Sequence, residues 1–198
     1  MEDVGLYIHV PFCSGKCHYC EFYSEVAKPE DVARYLRALR QEAGWRARML
    51  EEASSPRIAS VYVGGGTPTQ LSERELHELL ATVRDVFKPG DDCEVTVEAN
   101  PESVTEAKLV ALVGGGVRRV SLGVQSFQDV FLARLGRRHR ASDAERAIGL
   151  IRRAGVPRLS LDLMYALPGQ SVEQWQGDLR RAVGFGVEHL SCYELTIE

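Results

Sequence analysis

Residues 93–124 read CEVTVEANPESVTEAKLVALVGGGVRRVSLGV and contain one complete strand–helix–strand unit. Cys93–Glu98 and Arg119–Val124 are short runs of β-branched and aliphatic residues bounded by turn-forming neighbours. Between them, Ser103 and Glu106 have the spacing of a helix capping box, and Gly114 follows the periodic segment as a stop. In the first run Val95 and Val97 oppose Glu94, Thr96 and Glu98. In the second, Leu122 and Val124 oppose Ser121 and Gly123. One face can pack under helices while the other looks into a polar interior. A parallel sheet covered on both faces would be more uniformly apolar. The pattern therefore favours a barrel over an open doubly wound sheet, although both accommodate alternating strands and helices.

The unit recurs on either side. Strand-like runs stand at Leu6–Val10, Ile58–Val63, Leu159–Met164 and His189–Leu195. A helix is predicted from Pro29 to about residue 52, with Val32, Leu36, Leu39, Ala43 and Leu50 near one face. Further capping boxes stand at Ser72/Glu75, Ser142/Glu145 and Ser171/Gln174, and Gly155 marks a second stop. Five strand–helix units and a sixth strand, joined by right-handed crossovers, predict a partial (β/α)6 TIM-like barrel. No linker or low-complexity stretch divides residues 1–198, so one domain is expected. The last strand has no helix after it, as in the front part of a longer protein.

The 198 residues carry a net charge of −4 and are 44% hydrophobic and 26% charged, which excludes a disordered chain and gives no electrostatic case for nucleic-acid binding. No apolar run approaches the roughly 18–20 residues that span a bilayer. The opening MEDVGLYIHV has no basic segment of the secretory kind, so a cytoplasmic location is expected.

Of five cysteines, three fall within eight residues: Cys13-x3-Cys17-x2-Cys20. An odd count without an export signal argues against a disulfide framework. Three thiolates on one loop suit an iron–sulfur cube with one iron left open, or a zinc ion completed by His9 or His18. An unliganded loop is the plain alternative. Cys93 and Cys192 read as small buried hydrophobes. Gly64-Gly65-Gly66-Thr67 follows a strand, where glycines admit a ligand to the backbone or simply make a tight turn. Glu98, Gln125 and Asp162 stand at or near strand C-termini, the edge on which such folds build sites. Glu98 could instead pair with an arginine, Asp162 cap a loop and His9 serve as a hydrogen-bonded core residue. Arg134, Arg137, Arg138 and Arg140 read as a solvated face from which one arginine could hold a carboxylate.

YIHVPFCSGKCHYC (7–20), GGGTPT (64–69), VEANP (97–101), SLGVQSF (121–127) and DLMYALPGQ (162–170) together resemble the radical S-adenosylmethionine (SAM) proteins of the coproporphyrinogen III oxidase type. The resemblance implies a six-stranded partial barrel. It implies that Cys13, Cys17 and Cys20 bind a [4Fe–4S] cluster whose open iron is chelated by SAM. It further implies that Tyr7, Tyr19, Gly65, Gly66, Thr67, Glu98, Gln125, Arg137 and Asp162 contact SAM, with Glu98 on the ribose and Arg137 on a carboxylate. One electron from the reduced cluster would then cleave SAM to methionine and a 5′-deoxyadenosyl radical. Phe22 stands where the decarboxylating branch typically has a fourth cysteine, and only twelve residues precede Cys13. Both features resemble the heme chaperone (HemW) branch, whose partners are heme or a porphyrin and a recipient hemoprotein. The histidine motif for heme in that branch lies beyond Glu198. The alternative is the oxygen-independent coproporphyrinogen III dehydrogenase, so the resemblance leaves enzymatic activity open.

Overall fold

Six parallel strands follow one another across the sheet in the order in which they occur in the chain. The computed structural model describes residues 3–26, 28–53 and 55–196. The large strands are β1 (Asp3–Val10), β4 (Arg57–Gly65), β5 (Glu94–Ala99), β6 (Arg119–Gln125), β7 (Arg158–Tyr165) and β8 (His189–Glu194), hydrogen-bonded in the order β1-β4-β5-β6-β7-β8. A doubly wound sheet reverses its strand order at a switch point. Here the order never reverses, so right-handed crossovers place every helix on the same side. The sheet curls with that side outward into a half-barrel.

The helices are α1 (Pro29–Ala53), α2 (Glu73–Phe87), α3 (Glu106–Gly114), α4 (Asp129–Arg134), α5 (Ala141–Arg153) and α6 (Val172–Gly184). The apolar stripes of α1, α2, α3, α5 and α6 meet the outer face of the sheet in one core, whereas Phe131 of α4 packs with Leu135, Met164 and Leu167 in a second, smaller cluster beside the cleft. Leu159, Leu161 and Leu163 of β7 and Val120, Leu122 and Val124 of β6 are fully buried in the main core. The inner face carries Glu98, Thr96, Ser121, Ser160 and Asp162, as the period-two pattern requires. Among the described residues no helix is long and apolar enough to cross a membrane.

Two helix starts differ from the expectation. Ser72 and Ser171 form complete capping boxes with Glu75 and Gln174. Ser103 instead closes a single 3-10 turn (Pro101–Ser103), where its hydroxyl donates to Asn100 O at 2.9 Å. Thr105 caps α3, accepting from the Lys108 N–H at 3.3 Å. Proline at the start of the turn takes the chain out of register, and Thr105 is the next oxygen able to cap. Helix α5 begins at Ala141, so Ser142 lies inside it. Asp143 supplies the reach-back contact by accepting from the Arg140 N–H at 2.9 Å. Gly155 adopts φ +76°, whereas Gly114 stays helical and Gly116 takes the left-handed position at φ +86°. Helix α4 and the short strands β2 (Phe12–Cys13) and β3 (Glu25–Val26) carry no cap or alternation signal and were not foreseen. Cys93 is buried as expected, but Cys192 is exposed on the edge strand β8.

One buried carboxylate braces the sheet edge. Asp178 of α6 accepts from Ser126 Oγ at 2.6 Å, Phe127 N at 3.1 Å and Gln128 Nε2 at 3.1 Å. It thereby fixes the turn that follows Gln125, itself held at φ +67°. Asp178→Asn is expected to cost about 1–2 kcal/mol in urea unfolding, because one charge-assisted acceptor is lost while the shape is kept. An unchanged midpoint would show that the turn holds itself.

Candidate cofactor site

The C-terminal ends of the strands surround a cleft of about 880 Å³. Cys13, Cys17 and Cys20 line it and are each half-buried. Their loop is clamped at both ends. Pro11 O accepts from the Glu25 N–H at 2.8 Å, which pairs β2 with β3. Further along, the His18 N–H donates to Leu135 O at 3.1 Å, and His18 Nδ1 donates to Arg134 O at 3.0 Å. Burial pushes the Cys20 thiol up, and the neighbouring Cys17 and Cys13 add to the shift.

The glycine triplet packs against the same loop. Gly66 N donates to Val10 O at 2.8 Å and Thr67 N to Phe12 O at 2.7 Å. A Cβ on Gly66 would lie 2.7 Å from Phe12 O and 2.9 Å from Val10 O, so no side chain fits there. Gly65 takes φ +107°, which favours glycine on conformational grounds as well. Thr67 Oγ1 sits 3.5 Å from Cys13 Sγ and accepts from Asn100 Nδ2 at 2.8 Å.

Arg137 closes the opposite wall. Its Nη2 donates to Asn100 Oδ1 at 2.6 Å and Gly123 O at 3.0 Å, and its Nη1 donates to Tyr19 Oη at 3.4 Å and lies 3.7 Å from Cys17 Sγ. Burial disfavours its charge, but Tyr19, Glu102 and Cys17 outweigh burial and hold the guanidinium protonated. Its Nε is buried with no partner among the described residues. Arg134, Arg138 and Arg140 are exposed, as expected of a solvated run. Burial also pushes Tyr19 up to about 12.

Glu98 and Asp162 lie on the inner wall. Tyr62 Oη donates to Glu98 Oε1 at 2.7 Å and Gly65 N to Glu98 Oε2 at 3.1 Å, while Ser121 Oγ lies 3.0 Å from both oxygens of Asp162. Burial pushes both carboxyls up, and these donors pull them only part of the way back. Each therefore binds its proton more tightly in the fold than in the unfolded chain. Their contribution to stability is present below the ordinary carboxylate range and is lost as pH rises through the folded value. Glu98→Gln is expected to unfold at higher urea than the parent at neutral pH, with the difference closing on acidification. A difference that widens toward low pH would contradict this.

Eleven of the twelve anticipated residues line the cleft, Gln125 among them. Tyr7 does not. It is 58% exposed on β1, with its hydroxyl 3.2 Å from His9 Nδ1 and its ring stacked on Tyr62. His9 Nε2 donates to Tyr23 O at 3.0 Å, so both ring nitrogens of His9 have partners. His18 is likewise turned to a backbone carbonyl. Among the described residues no three His, Cys, Asp or Glu side chains stand at the spacing of a single metal ion. Asn100, Tyr62 and Glu102 were not anticipated. Asn100 lies in VEANP, between a strand-end acid and a proline, and that placement was the available signal.

The model of the Radical SAM superfamily matches residues 7–182. The chain belongs to the radical SAM superfamily. This radical SAM chain is 39% identical over 193 residues to the heme chaperone HemW of Bacillus subtilis, covering 97% of this chain and 50% of that protein. It is 40% identical over 203 residues to the heme chaperone HemW of Escherichia coli, covering all of this chain and 52% of that protein. Among solved structures it is similar to the coproporphyrinogen III oxidase HemN of E. coli, described as a radical SAM enzyme. That match has a TM-score of 0.88 at 28% identity and covers 98% of this chain and 44% of that one. The chain spans about half the length of the curated relatives it matches.

Superfamily membership brings a [4Fe–4S] cluster and SAM as cofactors. The residues fit both. Three thiols share one clamped loop, and a buried guanidinium nitrogen in the same cleft lacks a partner among the described residues.

Proposed function

We propose that residues 1–198 form the cluster- and SAM-binding domain of a heme chaperone. Cys13, Cys17 and Cys20 would hold the cluster, with SAM bound beside it. When bound, the reduced cluster supplies an electron to SAM. The chain's own residues bind and orient. Arg137 takes the carboxylate through its unpartnered edge, and Gly65 and Gly66 let the methionine end reach the backbone. Thr67 and Tyr19 steady the wall on either side. Glu98 accepts from ribose hydroxyls with the lone pairs that Tyr62 and Gly65 leave free, and Asp162 and Gln125 close the floor. Tyr7 acts from outside the cleft, by fixing His9 beside Gly65.

The observation that carries the assignment is the unbroken link Arg137–Asn100–Thr67–Cys13, which joins the carboxylate end of the cleft to the cysteine loop. The chaperone reading is supported by the names of the curated relatives and by Phe22, which removes a fourth cysteine from the loop. Heme or a porphyrin is the ligand, and a hemoprotein the recipient. Thiolates kept for a cluster go with a reducing compartment, which fits the cytoplasm.

The rival is coproporphyrinogen III dehydrogenase, favoured by the backbone likeness to HemN. The protein expressed from its complete reading frame, with its cluster reconstituted, is expected to bind heme stoichiometrically in a Soret titration. It is expected to leave coproporphyrinogen III unchanged under reducing conditions with SAM. Decarboxylation of that substrate would overturn the chaperone reading in favour of the rival.

A further inference from the structure

Glu98 meets two donors, one on each oxygen. Tyr62 Oη, from the middle of β4, donates to Oε1 at 2.7 Å, and Gly65 N, from the end of the same strand, donates to Oε2 at 3.1 Å. A Cβ on Gly64 would lie 2.8 Å from Glu98 Cδ, 2.8 Å from Glu98 Oε2 and 2.9 Å from Tyr62 Cε1, so the carboxyl and the ring both pack directly onto the Gly64 backbone. The Tyr62 ring also stacks on Tyr7, its cross-strand partner on β1, with centroids 6.2 Å apart and planes at 26°. Burial and the nearby Glu98 push the Tyr62 hydroxyl up, so it keeps its proton and serves as the donor. Glu98 lines the cleft and Tyr62 does not, so Tyr62 reaches the cleft only through Glu98.

The last torsion of a glutamate side chain is soft. A single hydrogen bond lets the carboxylate swing about that contact, whereas a donor on each oxygen fixes its plane. Each oxygen then still has a lone pair to offer. Two neighbouring hydroxyls of a sugar can donate to one oxygen each, but only to a carboxylate whose plane is set. A lone hydroxyl needs one oxygen and tolerates a tilted plane. We propose that Tyr62 is a positioning residue that locks the Glu98 carboxylate in the plane that accepts a vicinal diol, and so makes the cleft select a ribonucleoside over its 2′-deoxy counterpart. This rests on the reading of Glu98 as the ribose acceptor for SAM. The backbone donor at Gly65 holds one oxygen and leaves the other to Tyr62. Tyr62 touches no ligand in this scheme.

The test is equilibrium dialysis of SAM and of its 2′-deoxy analogue, in parallel, against the cluster-loaded chain. The parent is expected to prefer SAM by about tenfold or more, the scale of one hydrogen bond to a charged group. Tyr62→Phe keeps the ring, its stack on Tyr7 and its packing on Gly64, and removes only the hydroxyl. It is expected to bind SAM about fivefold or more weakly than the parent while binding the analogue as the parent does. An unchanged preference in Tyr62→Phe would overturn the proposal. So would equal weakening of both ligands, because a role in the fold alone acts on both alike. Glu98→Ala separates the two readings. If that variant keeps the parent's preference, or the parent has none, Glu98 is not the ribose acceptor. A preference lost in Glu98→Ala but kept in Tyr62→Phe removes only the role of Tyr62.

Discussion

Cys17→Ala, reconstituted anaerobically with iron and sulfide, is expected to retain less than about one iron per chain, where the parent holds about four. Cys17 lies in the middle of the clamped loop, with its sulfur 3.7 Å from Arg137 Nη1. Loss of one thiolate leaves two, too few to hold a cube on a loop this short. SAM binding should fall with the cluster, because chelation to the open iron is lost. Because Cys17 is half-buried, truncation to Ala should leave the apo fold intact, and the unfolding midpoint without iron should stay near that of the parent. Cys93→Ala and Cys192→Ala serve as controls. Neither residue lines the cleft, and both variants should load iron as the parent does. Full iron and sulfide in Cys17→Ala would mean that the loop is not the ligand set.

Arg137→Met should leave a cluster in place and lower SAM affinity by about a hundredfold, consistent with the roughly 2–5 kcal/mol lost when one partner of a buried, hydrogen-bonded charge pair is truncated. Methionine fills most of the space, so the effect is chemical rather than a cavity. Asn100 Oδ1 and Gly123 O lose donors at 2.6 and 3.0 Å, and Asn100 no longer has a fixed orientation toward Thr67. Arg137→Lys restores the charge without the fork and should recover only part of the affinity. Calorimetry on the cluster-loaded chain measures both variants. Affinity within threefold of the parent in Arg137→Met would take this residue out of the site.

The barrel was legible because the inner and outer faces of the strands carry different chemistry. Leu159, Leu161 and Leu163 alternate with Ser160 and Asp162, and that alternation favours a barrel over a sheet sandwiched between two helical layers. The three cysteines stood out by their spacing, which by itself left a cluster, a zinc ion and an unliganded loop open. Contacts that depend on three-dimensional closure were not legible. Asp178 sits on an amphipathic helix and reads as one more acid, yet the fold delivers it to three donors more than fifty residues upstream or nearly so. His139 and Glu102 are 37 residues apart in the numbering and meet only because α5 packs on the Pro101–Ser103 turn. The caps at Ser103 and Ser142 matched a local pattern that proline and a competing Thr105 or Asp143 displaced. Helix α4 is six residues long, starts without a side-chain cap and is held by the burial of Phe131 and Leu132, so no periodic stripe announces it.

The central claim is that three thiols hold an iron cube with one corner free for SAM. Electron paramagnetic resonance of the dithionite-reduced, reconstituted chain tests it most directly. The account predicts a [4Fe–4S]+ signal whose g values shift on addition of SAM and stop shifting at one SAM per chain. A cluster signal unmoved by saturating SAM, or a protein that takes up stoichiometric zinc and no sulfide, would contradict it.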